Sequence, residues 1–244
     1  MPKAVAPSWY DVQSQRDDIL RIREVHVDPY AVGDIWLVRG SRRDLVVDTG
    51  SGIVAPQPFI RSISQRPLLA VALNSFYDHA GGWHSFAERA CHPLEAGNLK
   101  DPWEENETYS IYLTDARLRA LPWKGYSTTR YRMAGADPTL LLRDGDLLDI
   151  GGRILQVLHV QGRSEGGLAL WEEATGSLFT SDMLYDGDHG PAWPPSEPGR
   201  YLESLERFAE LPVSMVYPGH YGAFGGERMH ALIAEQKALL EGLA

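Results

Sequence analysis

Asn74-Ser75-Phe76-Tyr77-Asp78-His79-Ala80-Gly81-Gly82 is the stretch on which the reading of this chain turns. It follows Leu68–Leu73, a short continuous apolar run that reads as a buried strand feeding a polar, glycine-containing loop. The loop carries an adjacent carboxylate and imidazole, Asp78 and His79. Gly81–Arg89 beyond it reads as the start of a helix.

Upstream, Ile19–Val27 alternates as a strand does. Asp34–Val38 and Asp44–Val47 read as a hairpin across the polar turn Gly40-Ser41-Arg42-Arg43, ending in Asp48-Thr49-Gly50-Ser51-Gly52. Downstream, strands are expected at Leu147–Ile150, Arg153–Val160, Gly167–Trp171, Ser177–Ser181 and Val213–Tyr217. Helices are expected at Tyr201–Glu210 and from about Gly226 to Glu241. The least regular part, about residues 92–137, holds Trp103, Tyr109, Tyr112, Trp123, Tyr126 and Tyr131. It reads as an aromatic-rich insertion covering a site, or as surface loops with one helix near Thr114–Leu121, its aromatics chiefly packing. Strand-rich halves with helices between and after them predict two sheets sandwiched by helices, in one domain spanning 1–244.

With 244 residues, 43% hydrophobic and 23% charged, the chain can bury a substantial core. A net charge of −10 argues against nucleic acid or an anionic membrane as the main partner, though a local basic pocket stays compatible with it. No apolar run is long enough to span a bilayer, and the opening Met1–Pro7 lacks the apolar core of a signal peptide. Cys91 is the single cysteine, so no intrachain disulfide forms. A cytoplasmic protein with a small-molecule substrate or ligand is expected; homodimerisation is left open.

Five motifs in order resemble the metallo-β-lactamase superfamily, from about Asp34 to His220. They are Leu45–Gly50, Asn74–Gly82, Asp144-Gly145-Asp146 with Leu158–Ser164, Phe179–Asp182, and Tyr217-Pro218-Gly219-His220. The resemblance implies an αββα four-layer sandwich. It also implies two neighbouring metal sites with unequal fates. The three histidines of the first are replaced by Asn74, Phe76 and Arg163, whereas the second keeps Asp78, His79, Asp182 and His220. Mononuclear β-lactamases also carry Asn at the position of Asn74, but keep the histidine that Phe76 replaces.

Two imidazoles and two carboxylates suit zinc, and a His and carboxylate set with open positions also suits iron or manganese. One divalent metal is therefore expected, zinc first. Buried together, Asp78 and Asp182 need a compensating cation. Arg163 could stand in for the lost first metal, bridge the aspartates, or clamp a substrate anion. The first reading is a one-metal hydrolase of an ester, lactone, thioester or related bond, in the lactonase and glyoxalase-II-like branch. There Arg163 is the electrophile, Asp78 or Asp182 the base, and Tyr185 a hydrogen-bond donor to the substrate. The alternatives are an inactive ligand-binding pseudoenzyme and a mononuclear iron protein with non-hydrolytic chemistry. Asp48 is expected to brace the metal loop from behind. Asn74 and Phe76 read as structural repair of a lost site. Tyr185 reads equally well as a core tyrosine, His84, His159 and His189 as ordinary polar or packing residues, Asp186–His189 as an exposed turn, and Trp193 as pocket mouth or loop packing.

Overall fold

The computed structural model describes residues 3–188 and 195–241; His189 and Trp193 lie outside them. Two sheets face each other. The first has seven strands in sequence order: β1 (Tyr10–Ser14), β2 (Ile19–Glu24), β3 (Ile35–Val38), β4 (Asp44–Val47), β5 (Leu68–Val71), β6 (Glu88–Cys91) and β7 (Leu140–Leu141). It is antiparallel from β1 to β4 and parallel from β4 to β7. The second has β8 (Leu147–Asp149), β9 (Ile154–His159), β10 (Leu168–Glu172), β11 (Ser177–Ser181), β12 (Met215–Pro218) and β13 (Phe224–Gly225), in reverse order, with β11 and β12 parallel.

The layers follow from strand alternation. Trp36, Val38, Leu45, Val47, Leu69 and Val71 point between the sheets to meet Leu155, Val157, Leu168, Leu170, Phe179 and Tyr217. Their neighbours Ile35, Leu37, Val46, Leu68 and Ala70 point outward beneath a helical layer. That layer comprises α1 (Pro56–Ile63), α2 (Tyr77–Ala80), α3 (Ala96–Lys100) and α4 (Trp103–Thr108). On the other flank Leu158, Ala169, Trp171, Leu178 and Val216 pack under α5 (Pro198–Ala209) and α6 (Gly226–Glu241). A strand covered on both faces has no polar side to show, hence the uninterrupted apolar runs of β3–β5. The expected αββα sandwich is what forms. Among the described residues no helix is long and apolar enough to cross a membrane.

Two helix expectations fail. Gly81–Arg89 is not helical: α2 ends at Ala80, a 3-10 turn covers Trp83–Ser85, and β6 begins at Glu88. A side chain at Gly82 would collide with Pro56 Cδ at 2.5 Å, so the glycine marks a close crossing of two loops, and the helix breaks there. Thr114–Leu121 holds only a 3-10 turn, Asp115–Arg117, because Leu118 and Leu121 are drawn into isolated bridges with Val27 and Val5. The sequence reading also passes over β1, β6, α1, α3 and α4. The stretch from 92 to 137 contributes to the core and to a cavity wall. Tyr109, Leu113, Tyr131 and Met133 are buried in the core, and α4 with the turn after it supplies one wall of a cavity.

Candidate metal centre

Asp48, Asn74–His79, Asp182 and His220 all lie just beyond the C-terminal ends of the parallel pairs β4–β5 and β11–β12. The two sheets are tied together at that edge. Trp36 Nε1 donates to Pro218 O at 2.7 Å, Asp34 N to Gly219 O at 2.6 Å, and Leu168 N to Leu73 O at 2.8 Å. Loops from opposite sheets are thereby held against each other.

His79 is fully buried and clasped by backbone. An added Cβ at Gly33 would sit 3.0 Å from its ring, and one at Gly219 would sit 2.5 Å from its Cε1. Its Nδ1 donates to Asp48 Oδ2 at 2.9 Å. The same Asp48 oxygen accepts from Ser181 Oγ at 2.8 Å, and its other oxygen accepts from Leu73 N at 2.9 Å. Asp48 thus braces β5, β11 and His79 at once. His220 Nδ1 donates to Pro29 O at 3.1 Å. In both histidines the proton on Nδ1 leaves the Nε2 lone pair facing the centre.

At that centre His79 Nε2 lies 3.0 Å from Asp182 Oδ1 and 3.6 Å from Asp78 Oδ2. His220 Nε2 lies 3.3 Å from each of the same two oxygens. Ligand atoms of Asp78, His79 and His220 fall within 4.8 Å of one another. His79 Nε2 and Asp182 Oδ1 are buried without an aligned hydrogen-bond partner despite their closeness. They point at a common space rather than at each other. Without a cation, two carboxylates face two imidazoles, and the imidazoles respond. Burial works against their charge, but the carboxylates prevail: Asp182 and Asp78 together lift His220 to about 10 and hold His79 well above its ordinary range. Burial likewise opposes ionisation of Asp182, yet His79 and His220 hold its carboxyl well below the usual range. A space that draws in two protons between two carboxylates fits one divalent cation in donor type and in charge.

Asn74, Phe76 and Arg163 behave differently from one another. Asn74 is buried. Its Nδ2 donates to Ser181 Oγ at 3.0 Å, and its Oδ1 accepts from Phe76 N at 2.9 Å, so it ties the loop to β11. Phe76 is half-buried in the wall of a ≈ 450 Å³ cavity that opens onto Asp78, Asp182 and His220. Arg163 lines the same cavity. Burial opposes its charge, but Asp182 raises it above its ordinary range. Tyr185 is buried, with its ring 5.3 Å from that of His220, and it also reaches the cavity. His84 and His159 stay outside: His84 Nδ1 donates to Gly81 O, and His159 stacks on His92 at 4.1 Å.

Glu105 was not visible from the sequence as a site residue. From α4 its Oε2 accepts the backbone N–H of Tyr77 at 2.7 Å, at the start of the helical turn that carries Asp78 and His79. Burial raises its carboxyl to about 7, Tyr77 N–H draws it down and Asp78 adds to the rise. No spacing rule could have linked residue 105 to residue 77; only the fold brings them together.

The superfamily model for metallo-β-lactamases matches residues 30–220. The human acyl-coenzyme A thioesterase MBLAC2 is 35% identical over 243 residues, covering 93% of this chain and 86% of its own. A hydroxyacylglutathione hydrolase of Aeromonas salmonicida is 25% identical over 210 residues, covering 84% and 68%. The crystal structure of the metallo-β-lactamase family protein TTHA1429 from Thermus thermophilus superposes with a TM-score of 0.64 at 22% identity, over 86% of this chain and 76% of that one. The chain belongs to the metallo-β-lactamase superfamily, a fold that binds divalent metal, and its Asp–His cluster is the candidate position for it.

Two substitutions test the supports around the cluster. Asp48→Asn keeps one acceptor but weakens the pull on His79 Nδ1, and is expected to lower metal affinity about 10–100-fold. Glu105→Ala unpairs Tyr77 N–H and is expected to lower it about tenfold, whereas Glu105→Gln, which keeps an acceptor, should stay near the parent value. Competition against a chromophoric chelator reads both.

Proposed function

We propose that the protein is a metal-dependent thioester hydrolase of small acyl substrates, with one divalent cation held by Asp78, His79, Asp182 and His220, zinc first. The observation that carries this reading is the convergence of two imidazole Nε2 atoms and two carboxylates, with Asp78, Asp182 and His220 lining a ≈ 450 Å³ cavity and the buried His79 behind them. A volume of that order suits a small-molecule substrate. A cation held there supplies Lewis acidity toward a carbonyl oxygen or a water.

The rest falls to the protein's own groups. The Arg163 guanidinium and the Tyr185 hydroxyl face the cavity as donors to the carbonyl oxygen as it gains negative charge. Asp78, with 13% of its side chain exposed against 8% for Asp182, is the better-placed base for a water proton. Phe76, Ile111 and Tyr112 offer an apolar wall to the acyl chain. Water oxygen bonds to the acyl carbon, the C–S bond breaks, and a carboxylate and a thiol leave. A thiol with a pKa of about 8.5 departs without strong acid assistance, unlike an alcohol, and this suits a site with one cation. The name of the human relative supports the thioester among the bonds considered.

Protein stripped with chelator, reloaded with zinc, iron(II) or manganese, and assayed for thiol release from acyl thioesters tests this. Activity should rise with metal and saturate at one equivalent. Full activity without metal, or saturation only at two, overturns it. Failure to take up any of these ions favours a ligand-binding protein anchored on Arg163, a reading that Phe76 in the cavity wall also supports.

A further inference from the structure

The cavity over the metal centre has a wall unlike the rest of the interior. Beyond Asp78, Asp182 and His220 it is lined by Tyr30, Phe76, Tyr77, Tyr109, Tyr112 and Tyr221, and Tyr185 joins them beside His220. Among the described lining residues Ile111 alone belongs to the series Val, Ile, Leu and Met. Between the sheets the balance is reversed: Val, Ile and Leu dominate, with Trp36, Phe179 and Tyr217 as the aromatic exceptions. The chain has aliphatic side chains in plenty and does not spend them on this cavity.

The rings are held in place from outside it. The Tyr77 hydroxyl donates to Ala31 O at 2.8 Å, that of Tyr109 to Thr128 O at 3.0 Å and that of Tyr221 to Asp188 O at 3.4 Å. The buried Tyr131 sets its ring against both Tyr77 and Tyr109, at 6.0 and 4.9 Å between centroids. Tyr221 has a φ of 62°, a region that side chains other than glycine rarely adopt, and an added Cβ at Gly187 would run into its ring. Tyr30 lies 6.1 Å from Tyr112 at a tilt of 49°, and Tyr185 lies 5.9 Å from Tyr221 at 44°. Rings tilted in this way do not cover one another's faces. The cavity therefore offers fixed, flat surfaces to a third ring.

Aromatic rings at 4.5–7 Å gain roughly 0.5–1.5 kcal/mol beyond the area they bury, and an aliphatic group of the same size does not. Cations also bind tyrosine faces. Arg117 already occupies Tyr30 in this way, 4.5 Å from its centroid, and Arg163 stands in the cavity wall to repel another. We infer that the cavity selects an aromatic acyl group, so that the substrates are thioesters of arylalkanoic acids. The thioester bond rests on the thioesterase reading; the preference for an aromatic group does not.

The test compares 3-phenylpropanoyl and 3-cyclohexylpropanoyl thioesters of N-acetylcysteamine on zinc-loaded protein. The two rings stand equally far from the carbonyl, so the bond to be broken is the same. The saturated ring is the bulkier and more apolar, and burial alone would favour it. The parent should prefer the phenyl substrate about tenfold in kcat/KM, and Tyr30→Leu and Tyr112→Leu should each cut that ratio about threefold. Leucine keeps the wall apolar, so a merely structural role for either ring would lower both rates and leave the ratio where it was. A parent ratio near or below one, or a ratio that neither variant moves, overturns the proposal. Hydrolysis of neither substrate strikes the thioesterase reading alone. Selection is then read without turnover, as the calorimetric affinity for 3-phenylpropanoate over 3-cyclohexylpropanoate, and equal affinities overturn it.

Discussion

His220→Ala is expected to lose tight metal binding and all metal-dependent activity while keeping the fold. The imidazole contributes one of two neutral donors at the centre, with its Nε2 3.3 Å from both carboxylate oxygens. Its removal leaves Asp78 and Asp182 facing His79 alone. The fall in affinity should exceed the roughly 10–100-fold expected for Asp48→Asn, because a ligand is lost rather than its support. The fold should survive, since beyond the centre the His220 ring makes one hydrogen bond, to Pro29 O in a loop, and edge contacts with the rings of Tyr185 and Tyr221. His230→Ala, on the exposed side of α6, serves as the control for a missing histidine. Elemental analysis and chelator competition on the three proteins read the result. Metal content in His220→Ala equal to that of the parent would mean that the cation sits elsewhere.

How far the sequence could be read depended on what each residue answers to. Strands β3, β4 and β5 were legible because burial on both faces leaves an apolar signature that no turn interrupts. The four converging side chains were legible because each sits in a short motif at a strand end. β6 was not: Glu88 and Arg89 at its open end mask two buried residues, Ala90 and Cys91, behind them. α1 opens on Pro56 and carries a second proline at 58, and in a sequence these read as loop punctuation although proline is favoured in a first helical turn. Glu105 was hidden for another reason: it joins a residue 28 positions away, through packing that no local pattern encodes. Asn74 lies between these cases. Its place in the loop could be read from the motif, but its tie to Ser181 required the opposing sheet.

The second large effect concerns protons. In metal-free protein His220 titrates at about 10 and His79 well above its ordinary value, because Asp182 and Asp78 outweigh the penalty of burial. In the unfolded chain both return to about 6.5. A folded-state pKa above the unfolded one adds stability that is complete below about 6.5 and is lost as pH rises through the folded value. Chelated protein should therefore melt at progressively lower temperature between about pH 6.5 and 10. A tenfold gain in proton affinity on folding is worth about 1.4 kcal/mol. A chain of this length changes its melting temperature by about 2–4 °C per kcal/mol, so even a fraction of the rise at His220 moves it by several degrees. Asp182 acts in the opposite sense: its depressed pKa adds stability above about 3.9 that is lost only on acidification, outside this window. A divalent cation takes the place of the two protons. Loaded protein should show no such decline, and metal uptake at pH 7 to 8 should release close to two protons per ion. Calorimetric titration in two buffers of different ionisation heat counts them. Fewer than one proton released, with a melting temperature that holds level to pH 10 after chelation, would mean that the imidazoles are neutral without metal and that the charge balance at this centre is set by Arg163 instead.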